Sequence, residues 1–162
     1  MVRGKGLISF GRRSLSLSVG ESIAVEVRVR LRVRGRNDKY VELVVLASGG
    51  AESPRPLIAL DPETAAKIYF KGSEGAERYE VIEASGIKEA SLYPQAVVLE
   101  LLDDEGSVLS SVTADHVVED GLVEPLLTDV TIDAQGIEVI SFGKGFWRHA
   151  WDSPEMLRRS TR

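Results

Sequence analysis

The side chains able to do chemistry are few in this chain, and most are poorly spaced for it. Cysteine is absent, which removes disulfides, thiolate nucleophiles and cysteine metal sites together. The two histidines, His116 and His149, lie far apart and belong to no closely spaced ligand pattern, so neither a metal nor a cofactor is expected. Ser48, in Ala47-Ser48-Gly49-Gly50, lacks the Gly-x-Ser-x-Gly elbow and has no histidine placed beside it by the sequence; taken alone, the segment reads as a connection between strands. Asp61 and Asp129 stand where helix caps are wanted, which accounts for them without catalysis. Asp103-Asp104-Glu105 reads as a solvated hairpin tip, because a hard-cation loop needs ligands spaced to surround the ion. Arg28, Arg30, Arg32 and Arg34 share one strand face, with Arg36 just beyond. Such a ladder suits nucleic-acid phosphates, but no aromatics are interleaved for base stacking, and pairing with acids such as Glu80, Glu83 or Glu100 is the favoured reading. Trp147 and Trp151, four apart, suit either closure of the core or an anchor for a peptide or partner subunit.

The elements that must position these residues are mostly strands. In residues 23 to 34 Val25, Val27, Val29, Leu31 and Val33 fall on one face, the alternation of a half-buried strand. Gly35-Arg36-Asn37-Asp38 is a turn, and residues 39 to 46 return as a second strand that delivers the chain to Ala47. Residues 55 to 60 form a short strand stopped by Asp61-Pro62, which opens a helix running to about Phe70. Residues 78 to 84 and 87 to 93 form a hairpin about Ser85-Gly86. Residues 95 to 102 and 107 to 118 form another about Asp103 to Gly106. Leu126-Leu127 precedes a short helix capped at Thr128-Asp129 and stopped at Gly136, and residues 137 to 142 are the last core strand. The tail, residues 143 to 162, carries both tryptophans, and Asp152-Ser153-Pro154-Glu155 predicts a final helical turn.

Composition bounds the rest. A chain of 162 residues, 43% hydrophobic and 28% charged, is a single soluble domain with one core, and no stretch is apolar enough to span a bilayer. The basic start has no continuous apolar segment and no small-residue cleavage site, so a cytoplasmic protein is expected. The net charge of −5 is uneven, with the basic residues concentrated before Tyr40. Few Asn and Gln beside many Glu, Arg and Val is a bias of heat-stable proteins.

Across residues 23 to 142 this order of elements resembles the retropepsin-like aspartic protease family, in its prokaryotic single-domain form. Val45-Leu46-Ala47-Ser48-Gly49-Gly50-Ala51 is similar to the family's hydrophobic-hydrophobic-Asp-Thr/Ser-Gly-Ala. Glu124-Pro125-Leu126-Leu127 with Gly136-Ile137 is similar to its second signature, with Thr128 where Leu-Leu-Gly is frequent. The resemblance implies a mainly β, closed-barrel acid-protease half fold with two short helices and a C-terminal helical tail. It also implies a homodimer, and a flap whose tip glycine is Gly86.

In that family each subunit supplies one aspartate, and the pair shares a proton to activate water. Ala47 stands at that position and can be neither acid nor base, while Ser48 and Gly49 keep the next two motif positions. The expectation is an inactive homodimer whose former cleft holds an extended peptide, with Ser48, Gly49 and Gly86 as binding residues and no catalytic residue. The alternatives are an aspartic endopeptidase whose Asp has been replaced by Ala47, through natural loss or engineered inactivation, and a structural or nucleic-acid module using Arg28 to Arg34. Membrane and nucleic acid are not expected partners.

Overall fold

The computed structural model describes residues 3–11, 26–72, 74–83 and 85–162, the first group by backbone course alone. It is mainly β. The strands are β1 (Arg3–Gly11), β2 (Arg28–Arg34), β3 (Tyr40–Ala47), β4 (Leu57–Leu60), β5 (Glu77–Glu83), β6 (Gly86–Leu102), β7 (Val108–Val118), β8 (Leu126–Leu127), β9 (Ile137–Ser141), β10 (Phe146–His149) and β11 (Arg158–Arg159). The two α-helices are α1 (Pro62–Lys67) and α2 (Asp129–Ala134).

The alternation that predicts β2 is what the structure uses. Val27, Val29, Leu31 and Val33 are fully buried, whereas Ile23 to Val25 lie outside the described residues. The arginines between them meet carboxylates. Arg28 forks onto Glu124 with two bonds of 2.9 Å; Arg32 lies between Glu42 at 3.2 Å and Glu100 at 3.1 Å; Arg34 reaches Glu100 at 3.2 Å. The expected acids Glu80 and Glu83 are not the partners, because β5 lies beside β1 and β6, while β2 lies between β3 and β6. At the end of the β2–β3 hairpin Gly35 is needed for space, since a Cβ there would stand 2.7 Å from both Cβ and carbonyl O of Ile68.

The large sheet runs β1-β5-β6-β2-β3-β8-β4-β7, and β7 also pairs with β6. Short β8 is parallel to β3 through Leu46↔Leu126 and Ala47↔Leu127, and antiparallel to β4 through Ile58↔Leu127. It is therefore threaded between two strands whose own connection, residues 48 to 56, must cross it. Both faces are apolar here: Val45, Ala47, Ile58, Leu60 and Leu127 enter one cluster, and the alternate residues Leu46, Leu57, Ala59 and Leu126 enter a second. Val81, Ala90, Leu92 and Val117 complete the second cluster from β5, β6 and β7.

Two expectations change. The break predicted at Pro94 is absent, and β6 runs through as a single long strand. Gln95 instead adopts φ 50°, its N–H donates to Asp115 Oδ1 at 2.9 Å, and the β6–β7 register slips between Tyr93 and Val97, which is how a bulge absorbs a residue that cannot donate. The C-terminal helical tail is corrected to strand. β9, β10 and β11 form a separate antiparallel sheet, and Asp152, expected to begin a helical turn, instead accepts the His149 N–H at 2.8 Å and two bonds from Arg158 at 2.7 and 2.8 Å. Trp147 is buried on β10 and Trp151 is 88% exposed beyond it, so helical i,i+4 contact does not apply.

Candidate functional site

The chain reaches Ala47 at the end of β3, where the Ala47 N–H donates to the Val27 carbonyl at 3.0 Å. The residue is 1% exposed and belongs to the first apolar cluster. Beyond it the Ser48 N–H donates to the Leu127 carbonyl at 3.2 Å, and the Ala51 N–H returns to the Ser48 carbonyl at 3.2 Å, closing the turn. The turn is tied to α2 by Asp129 N–H donating to the Ala51 carbonyl at 2.8 Å. Gly49 and Gly50 are exposed, and neither has positive φ. A Cβ at Gly49 would touch Phe142 at an ordinary 3.6 Å, and one at Gly50 would meet nothing within 4 Å among the described residues. Within a single chain, neither backbone strain nor crowding requires glycine at these positions.

A hydroxyl network missed at the sequence level holds the crossing connection in place. Thr128 Oγ1 lies 2.7 Å from Ser53 Oγ and 2.8 Å from Thr131 Oγ1; Thr131 Oγ1 accepts the Leu57 N–H at 2.7 Å and donates to the Leu57 carbonyl at 3.0 Å. A carbonyl only accepts, so Thr131 donates to the Leu57 carbonyl and Ser53 donates to the Arg55 carbonyl at 2.7 Å, and the Thr128 proton serves one of its two hydroxyl neighbours at a time. Thr128, the departure from Leu-Leu-Gly, is thus the middle of a chain that joins the 48–56 connection, β8, α2 and β4. It does not cap α2 through its side chain. The only sequence signal for this network is the hydroxyl content of Ser53, Thr128 and Thr131 at separated positions.

Asp61 caps α1, accepting the Thr64 N–H at 3.1 Å and its hydroxyl at 2.7 Å; Asp129 Oδ1 accepts the Val130 N–H at 2.7 Å. Both carboxylates are engaged with their own helices. Asp103 Oδ1 accepts the N–H groups of Glu105 and Ser107, as a hairpin tip requires. His149 Nδ1 accepts the Trp151 N–H at 3.3 Å, so Nε2 carries the proton toward the Gln135 carbonyl at 3.1 Å. His116 is fully buried, edge-on to Phe70 at 4.6 Å and near Tyr93, with neither nitrogen paired among the described residues. Burial, reinforced by the Arg36 charge, holds its pKa down at about 3, and the ring is neutral.

Gly86 sits at the turn between β5 and β6 with φ 132°, a conformation reserved for glycine, and a Cβ there would meet nothing within 4 Å. At the root of the same hairpin lies a cleft of about 1010 Å³. Phe70 and Tyr93 supply its aromatic wall, and Lys71, Glu77, Arg78, Glu89 and Asp120 its charges. None of Ser48, Gly49 and Gly86 lines it. Beside it, residues Gly86 to Ala90 of β6 pair with β5, whereas pairing with β7 starts only at Ser91. The second edge of that short stretch is unpaired among the described strands.

No protein-family model matches the chain, and no curated protein does. Among the described residues no helix is long and apolar enough to cross a membrane, and no group of three or more His, Asp and Glu is arranged to hold a metal ion.

Proposed function

We propose that the protein is a catalytically inactive, retropepsin-like domain that works as a homodimer and holds an extended peptide by strand addition. The observation that carries this reading is an alanine, with no titratable group, at the end of the strand beside which β8 is threaded, where an acid-protease half would present its carboxylate. Further support comes from the pairing of β7 with both β4 and β6, since β6, β2, β3, β8, β4 and β7 then follow one another in a ring, as a closed barrel needs. Gly49 and Gly50 support the dimer. Exposed glycines without an internal reason suit the close approach of a second backbone at this turn.

The peptide's place is the edge of Gly86 to Ala90 that is unpaired among the described strands, where its backbone groups extend the sheet while its side chains enter the adjoining cleft. This moves the expected binding region from the gap between Gly86 and Ser48 to the hairpin's side. Three measurements test the reading together. Light scattering is expected to give twice the 17.7 kDa chain mass. An unstructured protein substrate is expected to stay intact at mildly acid pH. Amide shifts on adding a library of extended peptides are expected over Gly86 to Ser91. Specific hydrolysis by the purified chain would overturn inactivity, a monomer at all concentrations would overturn the dimer, and undisturbed amides would overturn the binding edge.

A further inference from the structure

Strand alternation brings three charged side chains to one place at the tip of the β5–β6 hairpin. On β5, Glu83 shares the face of buried Val81; on β6, Lys88 stands opposite Val81 and shares the face of Ala90 and Leu92. Just past β7, Glu119 continues the face of Val117, which pairs with Leu92. All three therefore lie at the border of the second apolar cluster. Glu119 is 2% exposed, and its Oε1 has no partner among the described groups. Lys88 Nζ stands 3.5 Å from Glu119 Oε2 and donates to the Asp120 carbonyl at 3.0 Å, spanning the otherwise free edge of β6.

The ammonium faces one carboxyl group, that of Glu119, which is out of water. Burial, then the hydrogen bond and charge of Glu83, push the Glu119 carboxyl up from 4.5 to about 7, with Lys88 opposing. A proton held between the two carboxyls satisfies the orphan Oε1 and leaves a single negative charge for the lysine. Of the other described neighbours, β4 offers the Leu60 carbonyl to the Glu119 N–H at 3.0 Å, the Asp61 carboxylate is engaged with Thr64, and Asp120 turns its carbonyl to Lys88.

We propose that Glu83, Glu119 and Lys88 form a proton-operated latch that clamps the hairpin tip to the end of β7 and, on losing its proton, frees the β6 edge for an incoming strand. As a gate for a peptide it rests on the strand-addition reading; as a latch it is tested without any peptide. The sign follows from the closed state binding its proton more tightly than the open one. Closure is strongest at and below pH 4.5, the opening constant rises by up to about tenfold per pH unit from there toward 7, and it levels off above.

Hydrogen exchange of the intact protein, expressed as protection factors so that intrinsic rates cancel, reads this directly. Amides of residues 85 to 91 are expected to lose at least about tenfold protection between pH 5 and pH 7.5, while β2 amides keep theirs. Glu119→Gln, neutral at both pH values and still able to hydrogen-bond Glu83, is expected to abolish the pH dependence. Lys88→Met, removing the opposing charge, is expected to move the midpoint upward. Carboxyl ¹³C shifts of the unmodified chain give a reading that needs no variant, with one of the glutamates titrating near neutrality. Flat protection of residues 85 to 91 in the unmodified chain, or the same pH dependence in Glu119→Gln, would overturn the latch. Failure of peptides to bind while the protection change persists would overturn the strand-addition reading alone.

Discussion

At residue scale the decisive positions are Ala47 and the hydroxyl chain behind it. Ala47 lies at 1% exposure among Val45, Ile58 and Leu127, so a carboxylate there enters apolar surroundings rather than a prepared acid pocket. Ala47→Asp is expected to destabilise the fold by about 3 kcal/mol at pH 7, the scale of an uncompensated buried charge. Burial raises such a carboxyl, so the penalty should shrink as pH falls through the acid range and the group stays protonated. Urea unfolding at pH 4 and pH 7 checks the sign, and an assay with an unstructured protein checks the chemistry. An unchanged stability together with new hydrolysis would favour an endopeptidase that lacks only its aspartate. Thr131→Val makes the complementary test. It keeps shape but leaves the Leu57 N–H without its acceptor at a buried site, and is expected to cost about 1–3 kcal/mol in the same measurement.

The C-terminal sheet gives the clearest prediction among the elements. The Asp152 carboxylate is held below the ordinary carboxylate range by its hydrogen bonds from Arg158, against the effect of burial and with help from the His149 N–H. A lowered pKa in the folded state contributes stability above the unfolded value near 3.8 and loses it as pH falls further. Asp152→Asn is therefore expected to cost about 2 kcal/mol at pH 7, with the gap to the parent protein closing as pH falls below the unfolded value near 3.8. A gap constant across that range would assign Asp152 a role independent of its charge. The sequence-level error here is instructive. Asp152-Ser153-Pro154-Glu155 has the local chemistry of a helix start, and only the distant Arg158 redirects the carboxylate. Pro94 misleads for a similar reason, since the strand survives through the Asp115 carboxylate, itself held by Arg55, accepting the Gln95 N–H. By contrast β2, β3, the Asp61 cap and the Asp103 to Gly106 turn were legible, because alternation and capping are decided within a few residues. Of the candidate site, the Ala47 turn and the Gly86 tip could be located in advance. The Ser53, Thr128 and Thr131 chain and the Glu83, Lys88 and Glu119 cluster could not, because Ser53 meets the two threonines, and Glu119 meets the β5–β6 hairpin, only through contacts remote in sequence.

For the molecule as a whole, the last residues are joined to the start of β2. The Arg28 N–H donates to Ser160 Oγ at 2.7 Å, Ser160 Oγ lies 3.0 Å from the Glu26 carbonyl, and the Thr161 N–H donates to the Arg28 carbonyl at 2.7 Å. Ser160 also reaches back, its N–H donating to the Gly145 carbonyl at 2.7 Å, so the end of the chain ties the small sheet to β2, inside the large one. Arg158 sits over the Trp147 ring at 5.5 Å while forking onto Asp152. Removing residues 158 to 162 therefore strips β11, two backbone ties to β2 and the cover of Trp147 in one cut. With Trp151→Phe as background, which leaves buried Trp147 as the sole tryptophan, the truncation is expected to shift emission to the red and to lower Tm by about 10 °C, equivalent to roughly 3–4 kcal/mol in a domain of this size. If emission and Tm stay where they were, the small sheet folds without its terminal strand, and α2, β9 and the packing of Trp147 in the first apolar cluster suffice to join the two sheets.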